Sequence, residues 1–296
     1  MRAAVVRSFG GPEVVDVVER GLPEPAARQV RIKVAAAALN PVDAGVRSGV
    51  FGGAGKEIGL GWDVAGTVDA VGVAAAWSVG DKVVALAYGV DKPLGTHAEY
   101  VVVDTGAVAA APATADAVHA ATLPLNALTA AQALDLLDLA PGASLLVTGA
   151  AGAVGGYAVQ LAARQGLTVT GLARADDEEF VRSLGASGFV SGDAAAGAYD
   201  GVLDTAVLGE PALVWARDGG AYAGVIPQAE PASVRGVRTA AVEVSADGAR
   251  LAELVRLADD GVLSLRVAEV FSLADAAKAH SRLGEGGVRG RLVLVP

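Results

Sequence analysis

The chain contains no cysteine, which removes disulfides, thiolate metal sites and a thiol nucleophile together. Histidine is nearly as scarce, with only His97, His119 and His280 scattered along 296 residues. Zinc needs three or four converging N, S or O donors, so no metal site is expected. Positive charge never clusters: 23 Lys and Arg stand against 33 Asp and Glu, a formal charge of −10. Nucleic acid and anionic membrane surfaces are therefore poor partners. The opening MRAAVVRSFGG lacks the apolar core of a secretory leader, and a cytoplasmic location is the expectation.

One run lacks charge of either sign. Gly142–Ala163 is 22 residues long, enough by count for a membrane span. Its five glycines by Gly156 and its small side chains fit a buried strand–turn–helix instead. The surrounding stretch Ala143–Gly166 reads in that order. An apolar strand (Leu145–Thr148) leads to a glycine-rich turn (Gly149 to Gly155), then to a helical run ending near Gly166. A second strand, Leu167–Ala173, returns after one helix length.

Small residues at such a turn let the main chain approach a pyrophosphate, and the helix start presents amides and a positive dipole end to that anion. Gly149, Ala150, Gly152, Ala153, Val154 and Gly155 are thus candidate dinucleotide ligands. The turn departs from the strict G-x-G-x-x-G pattern, because alignment on Gly152 and Gly155 puts Ala150 at the first glycine. A tight βα turn with no ligand is the alternative that this pattern leaves open.

An NAD enzyme places an acid about 20 residues past the turn, on the ribose hydroxyls. Here Arg174 follows Gly155 by 19 residues, and a guanidinium there suits a 2′-phosphate. NADPH is the expected cofactor. The run Asp176-Asp177-Glu178-Glu179 reads as the acidic first turn of the next helix, with Asp176 as a ribose ligand of NAD as the alternative.

Length favours two domains. Residues 1–115 are β-rich, with short runs at Ala3–Val6, Val14–Glu19, Gln29–Ala37, Val64–Val71, Lys82–Ala87 and Ala98–Val103 punctuated by Gly and Pro. Helices are expected at Asp116–Leu123 and Leu128–Leu137. Strands and helices then alternate, with strands at Leu145–Thr148, Thr168–Leu172, Phe189–Ser191, Gly201–Asp204 and Ala221–Val225. That alternation predicts a doubly wound parallel sheet of Rossmann type over residues 116–261. A helix at Ala249–Asp260, a capping box between Ser272 and Asp275 opening Ser272–Leu283, and a final strand Arg291–Val295 complete the reading. The tail, 262–296, is expected to rejoin the first domain, and the ligand site to lie at the carboxyl ends of the central strands.

Seven segments in one order carry a resemblance. They are Ala38-Leu39-Asn40-Pro41-Val42-Asp43, Gly61-Trp62-Asp63-Val64-Ala65-Gly66-Thr67-Val68, Val79-Gly80-Asp81-Lys82-Val83, Gly95-Thr96-His97-Ala98-Glu99-Tyr100, Leu123-Pro124-Leu125-Asn126-Ala127-Leu128-Thr129-Ala130, the glycine turn, and Val288-Arg289-Gly290-Arg291. Over nearly its whole length the chain resembles the zinc-independent medium-chain dehydrogenases/reductases, in the quinone oxidoreductase (zeta-crystallin-like) branch. The resemblance implies a GroES-like, barrel-like catalytic domain beside the Rossmann-type domain. It also implies hydride transfer from NADPH to a quinone or an α,β-unsaturated carbonyl, and a homodimer through an edge strand of the central sheet. Zinc-dependent cousins carry Cys, His-Glu and a second Cys at positions reading Asn40, Trp62-Asp63 and about Leu125. Without a metal to polarise the carbonyl, alcohol oxidation is disfavoured.

By the same resemblance, Asn40 lies beside the nicotinamide ribose or substrate with Asp43 nearby; an Asn-Pro turn and helix cap is the alternative. A family tyrosine two residues past that aspartate is Gly45 here, and Arg47 is a possible substitute, or a surface arginine. Thr129 is placed near the nicotinamide carboxamide. Asp204, Thr205, Gly224 and Val225 are placed on the adenine and ribose side, and Val242 borders the nicotinamide. Arg289 is placed at the cofactor from the tail, or is a surface turn charge. Tyr88 and Lys92 have the Y-x-x-x-K spacing of short-chain dehydrogenases, but they precede the glycine turn by about 57 residues, the wrong order for that class. A non-catalytic NADPH-binding sensor or scaffold on the same fold is the reading from another functional class.

Overall fold

The computed structural model describes residues 1–52 and 56–296. In chain order the first elements are β1 (Arg2–Val6), β2 (Val15–Glu19), β3 (Gln29–Leu39), α1 (Pro41–Ser48), β4 (Ile58–Gly59), β5 (Asp63–Val71), β6 (Lys82–Leu86), β7 (Tyr100–Asp104), β8 (Val108–Ala110) and α2 (Ala117–Ala120). Then come α3 (Pro124–Leu137), β9 (Ser144–Thr148), α4 (Ala153–Arg164), β10 (Thr168–Leu172), α5 (Glu178–Ser183), β11 (Gly188–Val190), β12 (Tyr199–Asp204), β13 (Ala216–Gly224) and β14 (Arg238–Ala241). The chain ends with α6 (Gly248–Asp259), β15 (Val267–Ser272), α7 (Ala276–Gly284) and β16 (Arg291–Val295).

Two compact units divide these elements: residues 1–125 with 245–296, and residues 126–244. Residues 116–125 and 245–261, placed by sequence in the second domain, fall in the first unit. For α6 the cause is packing, since it lies on β8 and Asp259 accepts from the Thr114 hydroxyl at 2.8 Å and its N–H at 3.0 Å.

In the first unit, β15-β16-β3-β5-β6-β8 form one sheet with β7 also on β3, while β2-β1-β4 form a small second sheet. All pairs in it are antiparallel except β15 with β16. β3 shows why an eleven-residue strand persists: Val30, Ile32 and Val34 point into one core, shared with Val64, Val83 and Val101. Such period-2 alternation is what a one-sided sheet requires. Its far end, at Leu39, enters a second core with Val6, Ile58, Leu273 and Leu294. β4, β8 and β15 were not legible in the sequence, because each is short or interrupted and is fixed by partners distant along the chain.

The second unit is a six-stranded, wholly parallel sheet in the order β11-β10-β9-β12-β13-β14. Its first strand in sequence, β9, therefore lies inside, between β10 and β12. Leu145, Leu146 and Val147 are fully buried, as expected where helices cover both faces. The uncharged run 142–163 resolves into β9, a turn and α4, and no helix among the described residues is long and apolar enough to cross a membrane.

One local expectation is corrected. Ser272 and Asp275 do not exchange backbone hydrogen bonds; the Ser272 hydroxyl donates to the Asp275 carboxylate at 2.7 Å, because a 3-10 turn (Leu273–Asp275) precedes α7. A reciprocal box forms instead at the start of α1. There the N–H of Asn40 donates to Asp43 Oδ2 at 2.8 Å, and the N–H of Gly61 donates to Oδ1 at 2.9 Å. Asp43 is fully buried and ties α1 to the entry of β5. We expect Asp43→Ala to leave both buried amides without an acceptor and to cost about 3 kcal/mol of stability. A shift in the urea midpoint reads this; an unchanged midpoint contradicts the bracing role.

Candidate active site

At the carboxyl end of β9 the chain turns through Gly149, whose φ of 59° is a left-handed conformation that glycine adopts without penalty. Gly152 then caps α4 with extended backbone, and no side chain caps the helix start. A Cβ on Gly155 would lie 2.2 Å from the Gly149 carbonyl oxygen. The helix can approach the strand this closely only because nothing projects there. Ala150 is buried against the sheet, with its N–H donating to Leu172 O at 3.1 Å, so an alanine serves at the first position of the motif. Amides of Ala153, Val154 and Gly155 stand at the positive end of the helix dipole, an arrangement that receives a phosphate. β9 is also where the sheet order reverses, the point at which open α/β sheets bind ligands.

Arg174 sits two residues past Leu172, which pairs with Thr148 at the mouth of the same turn. Its side chain is exposed and has no hydrogen-bond or ionic partner among the described residues. Asp176 is exposed as well, whereas Asp177 is buried and opens α5, with Glu178 and Glu179 in its first turn. The acidic run thus serves the helix dipole, as its spacing suggested.

Asp204, expected to line a nucleotide, is turned inward. Its carboxylate accepts from Thr148 Oγ1 at 2.6 Å, the N–H groups of Leu208 and Gly209 at 2.7 and 2.8 Å, and Tyr222 Oη at 3.0 Å. Burial and the facing carboxylate together push the Tyr222 hydroxyl well above its ordinary range. The network holds the 205–209 loop. Thr205 likewise gives its hydroxyl to Thr148 O at 2.5 Å. Gly224 is buried at the end of β13 with Val225 half-buried beyond it, and Val242 donates its N–H to Gly224 O at 2.9 Å. Thr129 lies buried on α3 with its hydroxyl unpartnered among the described residues.

The first unit gathers a separate polar cluster. Asn40 Nδ2 donates to Asp63 Oδ2 at 2.6 Å, and the N–H of Leu125 donates to Asp63 Oδ1 at 2.6 Å. Desolvation pushes the Asp63 carboxyl up to about 7 despite those two donors. The chain positions that resemble zinc ligands are thus together, but they do not fit a metal. The Asn40 amide and Asp63 satisfy each other, Trp62 is an indole, and Leu125 contributes only an amide N–H. Among the described residues no group of three or more metal-binding side chains occurs.

Arg47 has its Nε and Nη1 buried with no partner among the described residues, and desolvation lowers its pKa. A Cβ at Gly45 would meet the Phe51 ring at 2.8 Å, so Phe51 takes that space. Arg289 is exposed in the turn before β16. Sequence reasoning missed Lys92, whose ammonium faces the Trp62 ring with Nζ 5.8 Å from the centroid and donates to the Ala87 carbonyl. The sequence singled it out only through the Tyr88 spacing, which stands in the wrong order for that class.

A family model described as alcohol dehydrogenase GroES-like domain matches residues 26–113, and one described as zinc-binding dehydrogenase matches residues 175–294. The chain is 32% identical to the NADPH-dependent alkenal/one oxidoreductase of Arabidopsis thaliana chloroplasts, over 100% of this chain and 80% of that one. Among solved structures, the quinone oxidoreductase from Coxiella burnetii matches with a TM-score of 0.91 and 30% identity, covering 100% of this chain and 99% of that one. A mycobacterial protein solved in complex with NADPH matches at 0.84 and 26%, covering 100% of both chains.

The glycine turn makes one sharp demand. Gly155→Ala places a methyl against the Gly149 carbonyl, so we expect at least about a tenfold loss of dinucleotide affinity, equivalent to about 1.4 kcal/mol, by fluorescence titration. Unchanged affinity would show that the turn is not the phosphate cradle.

Proposed function

The chain belongs to the medium-chain dehydrogenase/reductase family, in its quinone oxidoreductase branch, and is an oxidoreductase; we propose that it uses NADPH to reduce quinones or α,β-unsaturated carbonyls without a metal ion. The observation that carries the cofactor choice is the exposed, unpartnered guanidinium of Arg174 beyond β10, placed by register beside the mouth of the glycine turn. A planar, always charged guanidinium suits a phosphate oxygen far better than ribose hydroxyls. The Arabidopsis relative's NADPH dependence and the neighbour solved with NADPH support the same choice.

When bound, NADPH supplies a hydride. The residues that would hold it are Gly149–Gly155 at the pyrophosphate and Arg174 at the 2′-phosphate. Thr205 and the main chain at Asp204 would hold the adenosine side. Thr129, Gly224, Val225 and Val242 serve the nicotinamide side. The buried Asn40–Asp63–Leu125 arrangement supports metal-free chemistry, because each donor that a cation would use is already satisfied internally. Conjugated substrates suit such a site, since the charge developing on the oxygen is delocalised and needs positioning and hydrogen-bond donors rather than a Lewis acid. β14 ends the parallel sheet, and its outer edge is covered by no other strand among the described residues. A second copy could extend the sheet there, giving a homodimer. Light scattering should return twice the chain mass, and a monomer mass overturns that assignment.

Mixing the protein with NADPH and a panel of quinones and enones, while following nicotinamide absorbance, tests the activity; turnover should survive exhaustive chelation. Arg174→Ala should raise the Kd for NADPH roughly 10- to 100-fold, the worth of one or two charge-assisted hydrogen bonds, with NADH affinity nearly unchanged. An equal loss for both nucleotides would sink the assignment of position 174.

A further inference from the structure

Reducing a conjugated carbonyl leaves negative charge on its oxygen, and a donor must receive it. Few groups in the first unit are available. Asn40 Nδ2 is held by Asp63, and the Asp43 carboxylate is occupied by two amides. Arg47 Nε and Nη1 also lack a partner among the described residues, but they are fully enclosed, near His280, whose ring burial, His97 and Arg47 bring down to about 3.

Lys92 differs. Its ammonium has three N–H donors, and only one is used, on the Ala87 carbonyl. The other two have no acceptor among the described residues. Its side chain is partly buried, over Trp62, whose ring is edge-on to Tyr88 with centroids 4.8 Å apart. The groups whose charge acts on it are Asp43 and Asp63, which favour the ammonium, while desolvation outweighs them and brings it down to about 8. Arg291 acts in turn on Asp63. A cation with unspent donors, an aromatic wall and two carboxylates whose charge favours it suits a neutral carbonyl that becomes an oxyanion.

We propose that Lys92 is a catalytic residue of this protein, its Nζ binding the carbonyl oxygen of an α,β-unsaturated ketone or aldehyde and passing a proton to it. The proposal rests on the reductase reading above. Hydride adds to the β-carbon, the C=C electron pair shifts to form a new C=C to the carbonyl carbon, and the C=O π pair moves onto oxygen. A proton from Lys92 Nζ gives the enol and a neutral amine. The amine regains a proton from water, and the enol tautomerises to the saturated carbonyl. Oxidised cofactor and saturated product balance one hydride and one proton taken up.

The test compares Lys92→Met and Lys92→Arg with the parent protein, using NADPH and an enal. Lys92→Met should bind NADPH as the parent does and lose about 10²- to 10³-fold in kcat, the usual effect of deleting an oxyanion donor. Parent activity should fall as pH rises through about 8, because the ammonium is the active form. That limb should vanish in Lys92→Met and move to higher pH in Lys92→Arg, which retains part of the rate. A readout independent of turnover is the binding of 4-nitrophenolate, an oxyanion mimic, which should weaken at least tenfold in Lys92→Met. Full kcat with an unchanged alkaline limb in Lys92→Met, or equal nitrophenolate binding, overturns the proposal. Absence of NADPH binding by the parent protein would instead overturn the reductase reading, and the nitrophenolate comparison still decides the role of Lys92.

Discussion

One close contact of main chain on main chain, Gly155 against the Gly149 carbonyl, sets how near α4 comes to β9. A single methyl at 155 would fall 2.2 Å from that oxygen, so the distance is available to glycine alone. From that approach follow the uncapped amides at the helix start, the burial of eight of the twelve residues of α4, and the opening at the point where the sheet order reverses. Open parallel sheets bind ligands where the strand order reverses, and in this sheet that point is the end of β9.

Three buried aspartates show how the same side chain takes different work from its surroundings. Asp43 receives two backbone amides and fastens a helix start. Asp204 receives four donors and fixes a loop. Asp63 receives two as well, but desolvation outweighs them, the Asp43 charge adds to it, and the carboxyl rises to about 7. Asp63 is poised to change its protonation near neutrality, and it lies in the cluster that also acts on Lys92.

Five of the six strands of the parallel sheet were legible because each carries its own signal; β14, a short edge strand fixed by its pairing with β13, was not. Runs such as Leu145–Thr148 and Gly201–Asp204 are apolar, short and followed by turn residues, and they need no distant partner to be recognised. The glycine turn was legible for the same reason, since its glycines and the following helix are contiguous. Arg174 was legible through a fixed offset along one βα unit. Asp204 was read as facing a ligand because its position at a strand end was visible and its four donors were not. Two of them, Thr148 and Tyr222, are 56 and 18 residues away along the chain and meet it only after the strands have paired.

What the sequence determined by itself was therefore local or periodic: the alternation that builds the parallel sheet, the small residues of the turn, and the missing sulfur and clustered imidazole ligands. Tertiary structure alone decided where each polar side chain spends its hydrogen bonds. Asn40 and Asp63 are 23 residues apart, and Lys92 and Trp62 meet across 30 positions, so no spacing rule relates them. Their chemistry depends on burial and on neighbours within a few ångströms, quantities that exist only once the strands have paired.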